Sequence, residues 1–472
     1  MSCGCDPSSR RGFLAQAGTG FGMLALASLL KQDALLAQDA VRPLSPRSTH
    51  FAARAKSVIF LFMSGGPSHV DLFDYKPELQ RLAGQPIPDS FGMFKTRRAV
   101  AKNKLVPSHW TFRKRGECGM EISDALPQIA SMADELCLLR GCHGDSVTHP
   151  ESVYLMNTGS ILMGRPSLGA WAAYGLGTEN QDMPAFVVLP DPSGWVKGGA
   201  PAWGNGYLPA TYQGTILRGG ETPILHLNNP PGIAAAQQRQ TLDLINKLNR
   251  EEVRPGEEDS ELSARIAAYE LAFRMQSSAQ EVVDIRSESE ATRKLYGLED
   301  KVTAEFGLRC LLARRMVERG VRFVQLYCGD TNGWDGHSDL EGNHGKLCAQ
   351  SDKPIAGLLR DLKSRGLLDE TLVVWGGEFG RTPMSEGSNG RDHNPHGFSM
   401  WLAGGGVKGG QTIGATDPVG LRAAEEKTHV HDVHATILHL LGIDHTKLTY
   451  RHQGRAQRLT DVAGTVIQKA LA

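Results

Sequence analysis

A carboxylate, two imidazoles and an amide fall within the six residues Arg391-Asp392-His393-Asn394-Pro395-His396, on a stretch punctuated by Gly and Pro. Oxygen and nitrogen donors at that density suit a borderline divalent cation, zinc or manganese, with calcium or magnesium as harder alternatives. A further stretch offers the same donor types. Asp335 and His337 flank a single glycine in Gly329-Asp330-Thr331-Asn332-Gly333-Trp334-Asp335-Gly336-His337, so both can reach one cation. Aspartate and histidine are usually exposed unless engaged, so packing alone explains such a segment poorly. The expected metal set is Asp335, His337, Asp392, His393 and His396, with Glu378 and Asp71 as further ligands. The competing readings are backbone hydrogen bonds for the histidines and helix capping for Asp71 and His69.

An attacking hydroxyl is the second requirement of ester chemistry. Ser146 and Thr148 stand in the polar run Arg140-Gly141-Cys142-His143-Gly144-Asp145-Ser146-Val147-Thr148-His149-Pro150, just before an expected helix. Backbone N–H groups at a helix start stabilise a phosphate or sulfate. Thr148 leads, Ser146 and Ser68 follow, and a metal-activated water is the alternative; the plain reading of Thr148 is an N-cap. Arg381 or Arg391 is the expected clamp on the anion.

These runs need a scaffold that brings their ends together. Ser57 to Met63, SVIFLFM, is continuously apolar and reads as a strand buried on both faces. It exits into Ser64-Gly65-Gly66-Pro67-Ser68-His69-Val70-Asp71. Further short strands are expected at 136–139, 185–189, 321–327, 372–375 and 400–403. Helical spacing is expected from Glu121, with Ile122, Leu126, Ile129, Met132 and Ala133 on one face. A helical insertion is expected over 233–320, broken by a charged hinge at Pro255-Gly256-Glu257-Glu258-Asp259. Later helices carry Ile355, Leu358, Leu359 and Leu362, and the run from His429 with Asp432 as its cap. Strand, polar loop and helix repeat in that order. The expected fold is therefore α/β, a doubly wound, mostly parallel sheet with helices on both faces and the chemistry along one edge.

Fifty-one basic and fifty-one acidic residues cancel over 472 residues, so no global field favours nucleic acid. Ser9-Arg10-Arg11-Gly12-Phe13-Leu14, a Gly-rich apolar segment and Ala34-Leu35-Leu36-Ala37 resemble a twin-arginine export signal with its cleavage site. The expected location is periplasmic or extracellular, with no membrane span after cleavage. None of the eight cysteines forms Cys-x-x-Cys, so a zinc knuckle is not expected. The expected layout is a signal peptide at 1–37, a linker at 38–55, one α/β domain at 56–460 and a C-terminal tail at 461–472.

The run Asp352 to Leu362, then Gly366 to Val374, resembles the alkaline phosphatase and sulfatase superfamily, as does Asp432-Val433-His434-Ala435-Thr436-Ile437-Leu438 before Leu441-Gly442-Ile443. Gly65-Gly66-Pro67-Ser68-His69 and Gly377-Glu378-Phe379-Gly380-Arg381-Thr382-Pro383 resemble a twin-arginine-exported domain-of-unknown-function branch of that superfamily. The resemblance implies an alkaline-phosphatase-like sheet, with the superfamily's Asp/His pair at Asp335 and His337 and its later histidine at His393 or His396. The chain also departs from the pattern. Glu378-Phe379-Gly380 stands where Asp-His-Gly is usual, Ser64 where an Asp usually ends the first strand, and no cysteine begins Cys-x-Pro-x-Arg, the formylglycine motif. One metal site is therefore expected to survive and a second to be altered. The expected function is an exported metal-dependent hydrolase of phosphate or related anionic esters, acting on a small ester or a sulfated or phosphorylated polymer. The alternatives are a catalytically silent binding or assembly module, or a sulfatase-like enzyme without formylglycine.

Overall fold

The computed structural model of the chain describes residues 43–218, 224, 229, 231–252, 260–387 and 389–472. The expected signal peptide and the hinge at 255–259 lie outside the described residues.

The strands that matter for the site are β1 Ser57–Met63, β2 Leu136–His143, β3 Phe186–Leu189, β4 Thr215–Ile216, β5 Phe323–Cys328, β6 Thr371–Gly376, β7 Gly380–Glu386, β8 Gly390–Asn394, β9 Phe398–Ala403, β10 Gln411–Ile413 and β11 Thr428–His429. All but β7 and β8 join one nine-stranded sheet in the order β10-β2-β9-β6-β1-β5-β3-β4, with β11 also on β2. β9 runs antiparallel to β2 and β6, and the other pairs are parallel. The mostly parallel, doubly wound arrangement expected from the strand–loop–helix repeat is present.

β1 is central because it can be buried on both faces. Ile59, Leu61 and Met63 join the core on one side, and Val58, Phe60 and Phe62 the core on the other. The first side is covered by the long helices Ala304–Glu318 and Leu340–Ser364, the second by α1 His149–Thr158, α2 Leu168–Leu176 and the helix Val430–Leu440. The insertion supplies Ala235–Glu252 and Ser260–Val283, whereas Ala304–Glu318 is a core helix leading into β5. No helix among the described residues is long and apolar enough to cross a membrane.

The helical spacing from Glu121 does not become one helix. Met120–Ser123 is a strand paired with Phe112–Arg115, and only Pro127–Ala130 is α-helical. Pro127 sets the start of that short helix, and the Asp352 carboxylate accepts from the Gln128 and Ile129 amides at 2.8 and 2.7 Å. Ile122, Leu126, Ile129 and Ala133 are nonetheless buried in a common core, so the apolar periodicity identified the right residues and the wrong backbone. His429, not Asp432, caps the last helix; Asp432 closes the capping box by accepting from the His429 amide.

Candidate metal centre

In an open parallel sheet the carboxyl ends of neighbouring strands share one edge. The exits of β1, β5 and β6 are therefore adjacent, and the exit of β2 joins them across β9. The turn after β1 and the loop after β5 are held together by backbone contacts. The Trp334 amide donates to the Ser64 carbonyl at 2.7 Å. Gly65 has φ +103°, and a Cβ there would lie 2.5 Å from the Asn332 carbonyl and 2.7 Å from the Asp335 amide. Only glycine tolerates both the dihedral and the approach. Gly65→Ala is expected to cost about 1–3 kcal/mol and to weaken divalent-metal binding by displacing Asp335. Thermal unfolding and metal titration of the one variant check both effects.

The stretch 380–394, expected to be a polar loop, is a two-stranded antiparallel hairpin of β7 and β8. Its register shifts between Arg391 and His393. The Arg391 and His393 side chains, two residues apart on β8, go to different partners, Asp71 and Asp335. The Arg391 amide donates to the Gly336 carbonyl at 3.0 Å, which fastens the hairpin to the loop after β5.

At this edge His149, Asp335, His337 and His393 converge, with one ligand atom from each lying within 4.8 Å of the others. Asp335 is the hub. Its Oδ1 lies 2.9 Å from His337 Nε2 and 3.1 Å from His393 Nε2, and its Oδ2 lies 3.0 Å from His149 Nε2. The far nitrogen of each ring faces an acceptor: His149 Nδ1 and Glu378 Oε1 are 2.7 Å apart, His393 Nδ1 and the Val147 carbonyl 2.7 Å, and His337 Nδ1 meets Glu386 Oε2. A carbonyl or carboxylate can only accept, so a proton on each Nδ1 satisfies these partners. With the proton on Nδ1, each Nε2 would turn a lone pair toward the Asp335 carboxylate. A cation between them resolves that conflict, and ligating histidines characteristically donate their other N–H in this way. His149 Nε2 and His337 Nε2 are buried without a hydrogen-bond partner. Burial holds the His393 imidazole down at about 2, against the pull of Asp335, so this ring is neutral. Burial pushes the Asp335 carboxyl up, but its three imidazole contacts and the Arg381 charge outweigh it and hold the group well below the usual carboxylate range. Three imidazoles and a carboxylate match a zinc donor set.

Neighbouring rings and carboxylates frame the cluster. Phe379 stacks on His393 at 4.4 Å between ring centroids and lies 4.9 Å from His149. Phe379, the residue after Glu378, forms an aromatic wall to the cluster. Glu378 accepts from the Gly65 amide at 2.9 Å and orients His149, so it stands behind a ligand. Asp392 is fully buried; its Oδ2 accepts from the Arg98 amide at 2.7 Å and its Oδ1 has no partner. His337, Glu386 and Asp392 form a second close group, which shares His337 with the first.

Several expected residues lie elsewhere. Asp71 does not face the cluster: Arg391 Nε reaches it at 2.8 Å and the Ser68 hydroxyl donates to it, all three being buried. Ser68 is thereby committed, as is Arg391, which also donates to the carbonyls of Thr382, Pro383, Val106 and Pro107. Neither is open to a substrate. Arg381 is fully buried and braces Gly65, Gly66, the Arg391 carbonyl and Asp335, the last at 2.7 Å. It is a positioning residue and leaves no free fork for an anion. His396 Nε2 contacts the Lys95 carbonyl at 3.0 Å. Of the hydroxyls, Thr148 is the residue before α1 and its side chain makes no capping bond. Its Oγ1 lies 3.3 Å from Ser146 Oγ, and Ser146 donates to Glu151.

Sequence reasoning missed His149, Glu386 and Lys197. His149 was visible as the residue after Thr148 in a strand-end run, and its place in the first turn of α1 aims it at the same edge. Lys197, whose Nζ is 2.7 Å from Asp335 Oδ2, comes from the long loop after β3 and had no spacing to mark it.

The chain belongs to the DUF1501 family, described as protein of unknown function, whose profile matches residues 55–471. No curated protein matches. Among solved structures, the chain is similar to the lipoteichoic acid synthase LtaP from Listeria monocytogenes, with 10% identity, 92% of this chain and 81% of that one covered, and a TM-score of 0.37. It is also similar to the PsFucS1 sulfatase from Pseudoalteromonas sp., with 13% identity, 87% and 70% covered, and a TM-score of 0.33. A third is the phosphonate monoester hydrolase SpPMH from Silicibacter pomeroyi, with 11% identity, 67% and 68% covered, and a TM-score of 0.30. Likeness at that level carries no argument about chemistry, which rests on the side chains.

Proposed function

We propose that this DUF1501 protein is an exported, metal-dependent hydrolase of phosphate or related anionic esters. The observation that carries the proposal is the convergence of three imidazole Nε2 atoms on the Asp335 carboxylate at the carboxyl edge of the sheet. His149, His337, His393 and Asp335 would hold the cation, zinc before manganese. Bound there, it would act as a Lewis acid on a nonbridging ester oxygen and on the attacking hydroxyl.

The chain's own groups do the rest. Thr148 is the proposed nucleophile, flanked in sequence by Val147, whose carbonyl holds His393, and by His149. Ser146 gives its proton to Glu151, so in the Thr148–Ser146 contact Thr148 donates. That leaves a route by which the Thr148 proton passes to Ser146 as the Ser146 proton passes to Glu151. The anion is met by Lys197 and by Arg97, an exposed residue whose Nη1 lies 3.5 Å from His393 Nε2. They replace the buried Arg381 and Arg391 as clamp. A sulfate ester fits the same groups, though the formylglycine motif is absent.

Elemental analysis of the purified protein, followed by turnover of aryl phosphate and aryl sulfate with metal replacement, tests the reading. The expected result is about one divalent ion per chain and metal-dependent turnover that falls by roughly two to four orders of magnitude in Thr148→Val. One observation favours a second reading, a catalytically silent module: Arg381 and Lys197 already neutralise Asp335 with their own charges. Folded protein with neither bound metal nor turnover would establish that reading instead.

A further inference from the structure

The loop that carries Lys197 also carries an aromatic ladder. Trp195 is half exposed and stacks on the buried Trp203 at 5.7 Å and 25°. Trp203 meets Tyr327 of β5 edge-on at 5.7 Å, and Tyr327 meets Phe62 of β1 at 5.2 Å. The ladder therefore runs from solvent into the two central strands, and its outermost rung is held from below. Val196 between Trp195 and Lys197 is buried and pins the loop. Two residues span at most about 7 Å of backbone, so the indole and the lysine that reaches Asp335 spring from one short stretch of loop. The preceding Gly194 fixes the same proximity from the other side: a Cβ there would sit 3.0 Å from Thr331 Oγ1 and 3.4 Å from Asp330 Cβ, on the loop leading to Asp335.

An exposed indole costs solvation unless something covers it, and a rigid aromatic face loses little entropy on binding. Trp203 covers one face, which leaves the other for a flat partner. We infer that Trp195 is a stacking platform for the alcohol portion of the substrate, which makes this a site for phosphate or sulfate esters of a cyclic alcohol, such as a sugar ring. The inference rests on the hydrolase reading for its anionic end. The ring lies over Trp195 while the ester group meets Lys197 and the Asp335 cluster. A straight-chain alcohol has no face to stack and gains only area.

The test uses metal-loaded full-length protein and three non-reacting probes: inorganic phosphate, phenylphosphonate and n-hexylphosphonate. Calorimetric titration should find the phenyl compound bound about tenfold more tightly than the hexyl compound, the value of one aromatic stack. Trp195→Ala should bring that ratio to near one, and Trp195→Phe should restore most of it. A general structural role for Trp195 would weaken both compounds together without changing their ratio. A wild-type ratio near one, or a ratio that survives Trp195→Ala, overturns the platform while leaving the hydrolase reading intact. Failure of inorganic phosphate to bind at all overturns the anionic site and the platform together.

Discussion

Asp335→Asn should remove the divalent ion and abolish metal-dependent turnover. Losing an outer-shell partner of a metal ligand commonly costs ten- to a hundredfold in affinity, so losing the hub ligand should cost at least about a hundredfold. The variant isolates charge from shape: asparagine fills the same volume, but it cannot give negative charge to Oδ1 and Oδ2 together. In the wild-type chain those oxygens are shared among His149, His337, His393, Arg381 and Lys197. Neutralising the hub leaves Arg381 buried beside it, so some loss of stability is also expected. Glu378→Gln provides the necessary contrast. It keeps every proposed ligand but weakens the acceptor that sets the His149 tautomer. Its expected effect is ten- to a hundredfold on metal affinity. Thermal unfolding with and without zinc separates the cases, because a ligand that binds only the folded state raises the midpoint by mass action. The wild type should shift strongly, Glu378→Gln less, and Asp335→Asn not at all. Equal shifts in all three would mean that the cluster does not bind the ion.

Much of this site could be read from residue types, and the misses have physical causes. Asp335, His337 and His393 were legible because strand-end loops of a parallel sheet must meet at one edge, wherever they fall in the chain. His149 and Lys197 were less so. A lone histidine after a threonine reads equally well as part of a helix start, and a lysine on a long loop has no periodicity to place it. The largest misreading was of direction within the 391–396 run. Asp392 and His393 belong to a strand and not to a loop, and nothing in Arg391-Asp392-His393 announces its pairing with 380–386. The arginine is spent on Asp71, and only the histidine reaches Asp335. The sheet itself was legible at the level of strand identity because β1 and β6 are apolar runs and β5 is broken only by Gln325. The segment from Glu121 was not, because burial on one side of a short strand, a turn and a single helical turn can mimic helical spacing over that length.

Arg391→Met should destabilise the fold by about 3–5 kcal/mol, the cost of leaving a buried charge without its partner. Arg391 and Asp71 are both fully buried, and no solvent can take over the role of the lost guanidinium. Burial alone would raise the Asp71 carboxyl; Arg391, with the Ser68 hydroxyl, reverses this and holds it below its ordinary value. A carboxyl lowered in the folded state stabilises above its unfolded pKa of about 3.9 and loses that contribution as pH falls through the folded value. The wild type should therefore keep the pair's contribution at neutral pH and shed it in strong acid. Arg391→Met should be most destabilised relative to wild type at neutral pH, with the gap narrowing as Asp71 protonates. Asp71→Asn combined with Arg391→Met removes both charges and should recover much of the loss, as replacing a whole buried pair often does. The same variants decide between two roles for these residues. If Asp71 were a ligand or Arg391 a clamp, the double variant would refold but bind no metal or anion. If they are a brace between the β1 exit and the hairpin, as their contacts with each other and with the Thr382, Pro383, Val106 and Pro107 carbonyls imply, the double variant regains stability and metal affinity together. Metal titration on the refolded double variant separates the two, because the cluster around Asp335 uses neither side chain.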